Sequence, residues 1–476
     1  MIGIKSLGIS IPRYRLTREA LAQAWGRRAA RGERTVANFD EDSITMAVEA
    51  TANCLEGMDR AAVGALLFAS TTSPYSEKQA SALIASAVDL GSDVVTADLG
   101  GSPRSATIAV RLAMDMVRSG SVKNVIVAAA DCRLAEPGSD LEEQLGDGGA
   151  AVLIGQDDLA LEVEAVQSSS DHIMDLWKRG SDPYIKVGDP RFNHVHGYLP
   201  NMARNIGALL DKTDSTLDSF SKVIVPSPDS RGYLGLGKQI GLRAGQLQDP
   251  LFDKVGNTGT AHPLLLLAFA AEEAKPGDKI LLGSYGDGAD ALSLRATDRI
   301  EELKGGLQAQ AYLDSRRPLS SYEKYLEFRG LLVGRNVPLA PFSSPSLIWR
   351  EQKQDLRLYG VRCRSCGRVQ YPQVRVCRGC RAKDQFEDFK LSRQGRVFTF
   401  QKDHYYPCPD SPLTMSDVDL EGGGRVLLQT TDTDPGSMAV GMPVDLCLRK
   451  YHEGGGFLNY YWKCRTPRRG YNVNQG

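Results

Sequence analysis

One order of features occurs twice in this chain. Arg104–Gly120 (RSATIAVRLAMDMVRSG) has a helical apolar period, ends at glycine and runs into the β-branched stretch VKNVIVAAAD, with Gly146-Asp147-Gly148 following. Pro263–Gly277 (PLLLLAFAAEEAKPG) leads in the same way into DKILLGSYG and then Gly286-Asp287-Gly288. Helix, turn, strand and Gly-Asp-Gly loop, repeated in one order, predict duplicated halves of a single core. Runs such as Val125–Ala129, Val223–Val225 and Lys279–Gly283 alternate with helical segments from Met1 to about Ile300, which predicts an α/β domain with its sheets layered between helices.

The nine cysteines divide unevenly. Cys54 and Cys132 lie in the α/β region, whereas Cys363, Cys366, Cys377, Cys380, Cys408, Cys447 and Cys464 crowd the last part of the chain. An odd total argues for a metal site or free thiols over a disulfide framework. Cys363-Arg-Ser-Cys366 and Cys377-Arg-Gly-Cys380 are two C-x-x-C knuckles ten residues apart, and together they supply the four sulfurs of a closed tetrahedral site. Zinc is the expected metal and iron its rival, since an S4 site holds either. Four thiolates leave no open position, so the metal holds structure. Cys408, Cys447 and Cys464 lack this spacing and read as apolar positions. Beyond Leu356, short strands separated by glycine turns predict a small β-barrel. These features divide the chain into halves at 1–165 and 166–300, a helical linker region at 301–355, a ribbon at 356–392 and a barrel at 393–476.

With 57 basic and 58 acidic residues, no whole-chain field draws the protein to nucleic acid or to an anionic membrane. No apolar run approaches the roughly 18 residues that span a bilayer. The amino terminus lacks a basic-then-apolar leader, which predicts a cytoplasmic protein.

Two strand-to-helix corners occupy equivalent places in the halves. In the first, Asp98-Leu-Gly-Gly-Ser102-Pro103-Arg104 reads as a serine N-cap followed by the first helical residue. The second is Gly256-Asn257-Thr258-Gly-Thr260-Ala-His262-Pro263, with Asn257 and His262 just ahead of a very apolar helix. Helix starts of this kind carry free N–H groups able to hold an oxyanion or a thioester carbonyl.

At these residues the sequence resembles the thiolase superfamily, in the branch of hydroxymethylglutaryl-CoA synthases and ketoacyl synthase III enzymes. The resemblance rests on Ser70-Thr-Thr-Ser-Pro-Tyr75, Asp98 with its helix, Asp147-Gly-Gly-Ala-Ala, Gly256-Asn257-Thr258 and Gly283-Ser-Tyr-Gly-Asp-Gly-Ala-Asp-Ala-Leu292. From about Arg317 the chain is similar to the rubredoxin-like zinc-ribbon plus OB-fold proteins that accompany such enzymes. A five-layer α-β-α-β-α fold, a coenzyme A thioester as substrate and a homodimer through the thiolase-like domain are what the resemblance implies.

The departures from that family are specific. Where the family has its cysteine nucleophile this chain has Pro103; Thr71 stands for the acid/base glutamate, and Pro226-Ser227-Pro228-Asp229 for the histidine corner. Asn257 is retained. Proline offers no nucleophile, so acyl-cysteine chemistry is excluded in this register. The chain thus resembles cysteine-less thiolase-like retro-aldolases, lyases that cleave β-hydroxyacyl-CoA, and it is expected to be an enzyme of this kind. Such a reaction needs a base for the β-hydroxyl proton and donors for the enolate. Asn257 and His262 are the expected donors; Asp229, His196 and Tyr198 are the candidates for the base. A condensing acyltransferase with a displaced nucleophile and a non-catalytic scaffold subunit of a synthase complex remain as alternatives.

Overall fold

The computed structural model describes residues 1–332 and 342–468; residues 333–341 of the predicted linker and 469–476 of the predicted barrel lie outside the described residues. Two compact units are present. The first comprises Met1–Ala37, Asp42–Ala85 and Leu90–Tyr322, and the second Asn38–Glu41, Ser86–Asp89 and Glu323–Gly476. Among the described residues no helix is long and apolar enough to cross a membrane.

The first unit is built on nine strands: β1 (Gly3–Ser10), β2 (Val63–Ala69), β3 (Val95–Leu99), β4 (Asn124–Cys132), β5 (Asp147–Gly155), β6 (Leu161–Ser170), β7 (Lys222–Ile224), β8 (Lys279–Tyr285) and β9 (Gly288–Ala296). Their spatial order is β7-β8-β9-β6-β1-β5-β4-β2-β3. In the first half β1 pairs antiparallel with β5, β5 antiparallel with β4, and β4 parallel with β2. In the second half β6, β9, β8 and β7 repeat that succession of antiparallel, antiparallel and parallel pairings. The halves meet where Gly3 and Ile4 pair with Glu162 and Leu161. The expected duplication is therefore present strand for strand, with β3 added at one edge.

Five helices matter for the site: α1 (Ser43–Cys54), α2 (Ser105–Arg118), α3 (Leu199–Thr213), α4 (Ser230–Gln239) and α5 (His262–Glu273). The α1 helix packs on β1, β4 and β5 of its own half, and α3 on β6, β8 and β9 of the other. By contrast α5 touches β1 and β5 as well as β7 and β8, which makes it part of the central layer. A helix apolar all round must be buried on all sides; Leu264 to Leu267 and Ala270 are fully inaccessible.

Tight packing also sets the distance between β1 and α1. A methyl group on Gly8 would stand 2.2 Å from the Ala50 carbonyl oxygen and 2.4 Å from the Cys54 nitrogen. Only glycine permits so close an approach.

In the second unit, strands Tyr359–Cys363, Val369–Gln370 and Phe386–Lys390 form an antiparallel ribbon. Strands Gln394–Asp403, Leu413–Leu420, Arg425–Thr430, Pro443–Gly454 and Phe457–Arg465 close into a barrel. Alternate residues such as Val418, Leu428, Leu446 and Trp462 point inward and fill it. The unit also buries charge that is neutralised internally. Arg449 pairs with Glu41 and with Asp432 at 2.6 Å, Lys463 with Asp40 at 2.9 Å, and Arg468 with Asp432 at 2.7 Å.

Gly8→Ala is expected to push β1 and α1 apart and destabilise the first unit by about 1–3 kcal/mol, the usual cost of overpacking; thermal unfolding of the full chain checks this.

Candidate active site

The two corners converge on one cleft in the first unit, bordered by Pro103 from the first half and by Asn257 and His262 from the second. Asp175, Ser284, Tyr285 and Asp287 line the same cleft.

A single carboxylate organises the corners. Asp131, at the end of β4 and fully buried, accepts hydrogen bonds at Oδ1 from Ser70 Oγ (3.0 Å), Thr71 N (2.7 Å) and Thr72 Oγ1 (2.8 Å). Its Oδ2 accepts from Thr260 N (2.8 Å) and Thr260 Oγ1 (2.9 Å). Asp131 thus ties the loop after β2 to the turn before α5. Gly259 must be glycine there: φ is +63°, and a Cβ would sit 2.3 Å from Asp131 Oδ2.

On the first corner the structure corrects the sequence reading. Helix α2 starts at Ser105, and Ser102 does not cap it. Ser102-Pro103-Arg104 form a preceding turn, closed by Ser105 N donating to Ser102 O at 3.0 Å. The turn is pinned by Arg104, whose guanidinium donates to Ser169 O (2.6 Å) and Asp287 O (3.2 Å) and pairs with Asp290 at 3.3 Å. Asp290 also accepts from Thr107 Oγ1 at 2.6 Å. The loop that carries Asp287 comes equally close: a Cβ on Gly286 would lie 2.5 Å from Ser102 Oγ and 3.1 Å from Pro103 Cδ. The aspartate before this corner, Asp98, faces away and caps another helix by accepting from Ala80 N and Ser81 N.

On the second corner, Asn257 Nδ2 donates to Ser227 O at 3.1 Å while its Oδ1 accepts from Gly259 N at 2.9 Å. The amide is held by both ends and keeps one N–H for the cleft. His262 borders the cleft but is buried, stacked on Phe252 at 16°. Its Nδ1 accepts from Thr258 N at 3.5 Å and lies 3.3 Å from Thr258 Oγ1. Burial lowers its pKa to about 4, against a partly compensating hydrogen bond at the Pro250 backbone. His262 is therefore a neutral imidazole at physiological pH.

The three other residues singled out in the sequence do not join this cleft. Asp229 accepts from Gly232 N at 2.8 Å and caps α4. His196, exposed in the π-helical turn Asn193–Tyr198 that leads into α3, packs on Phe192 at 4.9 Å. Tyr198 is fully buried and donates to Val225 O at 2.7 Å, with its ring edge-on to Tyr285. Burial raises its hydroxyl pKa far above the ordinary tyrosine value.

The carboxylates that do reach the cleft are Asp175 and Asp287. Asp175 is buried, with Oδ1 accepting from Leu176 N at 2.7 Å. Burial and then the charge of Asp175 raise the Asp287 pKa, opposed by a hydrogen bond from Ser102 and by Arg104. Arg133 completes the group: burial lowers its pKa, and the charges of Asp131 and Asp175 offset this. The one sequence signal for any of these was the repeated Gly-Asp-Gly, which read as a mark of duplication. Its two copies have separate uses, since Asp147 is buried and accepts from Ala37 N at 2.7 Å.

In the second unit the four knuckle cysteines come together, with all four sulfurs within 4.8 Å of one another. The pairs Cys363–Cys380 and Cys366–Cys377 are 3.6 Å apart. Metal–sulfur bonds of ~2.3 Å in a tetrahedron place sulfurs about 3.8 Å apart, so the set fits zinc. Backbone N–H groups of Cys380 and Gly379 pull the Cys377 thiol down to about 6, toward the thiolate a metal needs.

Comparison with known proteins decides the family. The chain is 30% identical over 342 residues to the hydroxymethylglutaryl-CoA synthase of Methanosphaera stadtmanae, an alignment covering 69% of this chain and 99% of that protein. The chain belongs to the hydroxymethylglutaryl-CoA synthase family. The synthase of Aeropyrum pernix is 33% identical over 349 residues, covering 70% of this chain and 96% of the relative. Among solved structures, MvaS in complex with 3-hydroxy-3-methylglutaryl coenzyme A superposes with a TM-score of 0.64 at 19% identity, covering 72% of this chain and 94% of that one. The 3-oxoacyl-[acyl-carrier-protein] synthase III of Aquifex aeolicus covers 62% of this chain and 100% of its own, at a TM-score of 0.55 and 21% identity. Those likenesses establish the thiolase-like fold. Residues 350–387 match the ChsH2 rubredoxin-like zinc-ribbon domain, and 390–449 the ChsH2 C-terminal OB-fold domain. This member of the synthase family therefore carries both extra domains in the same chain.

Because His262 is neutral in the folded chain and an unfolded histidine titrates near ~6.5, acid favours the unfolded state. Its stabilising contribution is complete above pH ~6.5 and falls progressively down to about pH 4, by roughly 3 kcal/mol. Denaturant unfolding at pH 7 and pH 4.5 is expected to show a smaller acid loss in His262→Phe than in the parent chain.

Proposed function

We propose that this chain is an acyl-CoA carbon–carbon lyase that cleaves a β-hydroxyacyl-CoA by a retro-aldol step, or runs the reverse. The observation that carries this reading is one cleft lined by Pro103, Asn257 and two carboxylates, Asp175 and Asp287; the resemblance implies that Pro103 stands where the family has its cysteine nucleophile. Asp287 takes the proton of the β-hydroxyl. The bond between the α- and β-carbons then breaks, and its electron pair passes into the thioester enolate. The N–H of Asn257 that Ser227 leaves unused stabilises the enolate oxygen. A proton returned to the α-carbon releases a shorter acyl-CoA and an aldehyde or ketone. Asp175 acts through Asp287, raising its affinity for the proton.

A second reading has one observation in its favour. The Ser102 hydroxyl lies near enough to Asp287 to favour its charged form, so a condensing acyltransferase would have a displaced nucleophile with a base beside it. Covalent acyl adducts on Ser102 support that reading; free shorter acyl-CoA and a carbonyl product without adducts support the lyase.

We further infer that the ribbon takes one structural zinc. The expected homodimer is assigned to the outer edge of β3, which ends the sheet and leaves Val95 half exposed.

Asn257→Ala is expected to slow cleavage of the accepted β-hydroxyacyl-CoA by about a hundredfold, as loss of an oxyanion donor does. Asp287→Asn removes the base and abolishes turnover while coenzyme A thioester binding, followed by calorimetry, persists. Cys363→Ser is expected to lower metal content from one zinc per chain and to unfold the ribbon before the first unit, read by elemental analysis and by hydrogen exchange.

A further inference from the structure

Two polar groups with no part in the steps above meet at the foot of α4. Ser227 lines the cleft and is 1% exposed. Its carbonyl oxygen accepts from Asn257 Nδ2 at 3.1 Å, so the serine stands beside the amide assigned to the enolate oxygen. Its hydroxyl oxygen is held by a long bond, accepted from Asp229 N at 3.4 Å. A hydroxyl that accepts in this way still has its own proton to donate.

His194 is the second group. It lies in the π-helical turn Asn193–Tyr198, a form of helix that recurs at functional sites. The residue is partly exposed, yet its Nε2 is inaccessible and has no hydrogen-bond partner. Both groups border the point where Gly232, in the first turn of α4, lacks a side chain. A Cβ there would stand 2.4 Å from Ser227 Oγ, 2.3 Å from His194 Cε1 and 2.7 Å from His194 Nε2. Glycine is what lets the imidazole edge and the hydroxyl share one small space. They are neighbours with no hydrogen bond between them. Catalytic hydrogen bonds are often open before substrate binds and close with it, and a swing of the Ser227 hydroxyl away from Asp229 N closes this one.

We propose that Ser227 is the catalytic acid that returns the proton to the α-carbon, and that His194 is the positioning residue and proton source behind it. The proposal rests on the lyase reading for its enolate. The enolate electron pair takes the Ser227 proton and forms the new C–H bond at the α-carbon. Ser227 Oγ takes the Nε2 proton of the His194 imidazolium in the same movement, which restores the serine. When the products leave, neutral His194 regains a proton from water, and Asp287 gives up to water the one it took from the β-hydroxyl. Base and acid are thus separate: Asp287 serves the oxygen, and Ser227 with His194 serves the carbon.

Exchange of the α-protons of acetyl-CoA and propionyl-CoA in heavy water, followed by NMR with the full chain, tests the pair apart from carbon–carbon cleavage. Exchange runs the same transfer in both directions, since Ser227 and neutral His194 remove the proton that they return. The parent chain is expected to exchange at least one of the two. Ser227→Ala and His194→Ala should each slow the exchange about a hundredfold, the usual worth of general acid–base catalysis, while thioester binding by calorimetry persists. Free imidazole should restore part of the rate in His194→Ala, which the loss of a merely structural residue would not allow. His194→Gln guards against a folding defect: its thermal transition should match the parent's while its exchange stays slow. Exchange at the parental rate in Ser227→Ala or His194→Gln, or none by the parent, overturns the proposal. Failure of the lyase reading looks different: exchange that needs both residues, without cleavage of any β-hydroxyacyl-CoA, supports the pair and overturns the lyase.

Discussion

The cleft of the first unit depends on the buried carboxylate of Asp131. Five donors from two segments more than a hundred residues apart in sequence converge on its two oxygens. A charge so placed is tolerated because its oxygens are saturated with hydrogen bonds. The same bonds locate the turn that presents Asn257 and starts α5. Gly259 lets that turn come close enough. Thus the donor on one side of the cleft is positioned by a residue on the other half of the duplicated core.

Arg104 performs the matching task on the opposite rim. Its guanidinium is shared among Ser169 O, Asp287 O and Asp290, so the turn with Pro103 and the loop with Asp287 are fixed to each other. Bidentate geometry and a planar donor set suit arginine to such a junction better than lysine. Neither Asp131 nor Arg104 lines the cleft, so both rims are held by residues outside it.

Much of the scaffold was legible in the sequence, because it rests on local signals. The apolar run of α5, the β-branched strands and the C-x-x-C spacing each state their environment within a dozen or so residues. The repeated Gly-Asp-Gly carried the topology as well. The chemistry of the cleft was only partly legible. Asn257 and His262 stand beside a helix start and were readable for that reason, whereas Asp131, Asp175 and Arg133 owe their importance to partners remote in the chain. His196 and Tyr198 form a polar aromatic cluster in sequence, but the π-helical turn sends one ring to the surface and the other against Val225. Ser102 looked like a cap because serine before proline usually is one. The buried Arg104 holds the turn and delays the helix to Ser105.

The two Gly-Asp-Gly loops began from one pattern and now divide labour. In the first, Asp147 is sealed inside and serves a backbone N–H; in the second, Asp287 reaches solvent and the cleft. Pro103 sharpens this difference, since proline contributes no backbone N–H. The first half lends the cleft Pro103 and the cation of Arg133, and the second half lends it two carboxylates, Asp175 and Asp287. A symmetric framework has become a polarised pocket, cationic where the earlier half of the chain lines it and anionic where the later half does.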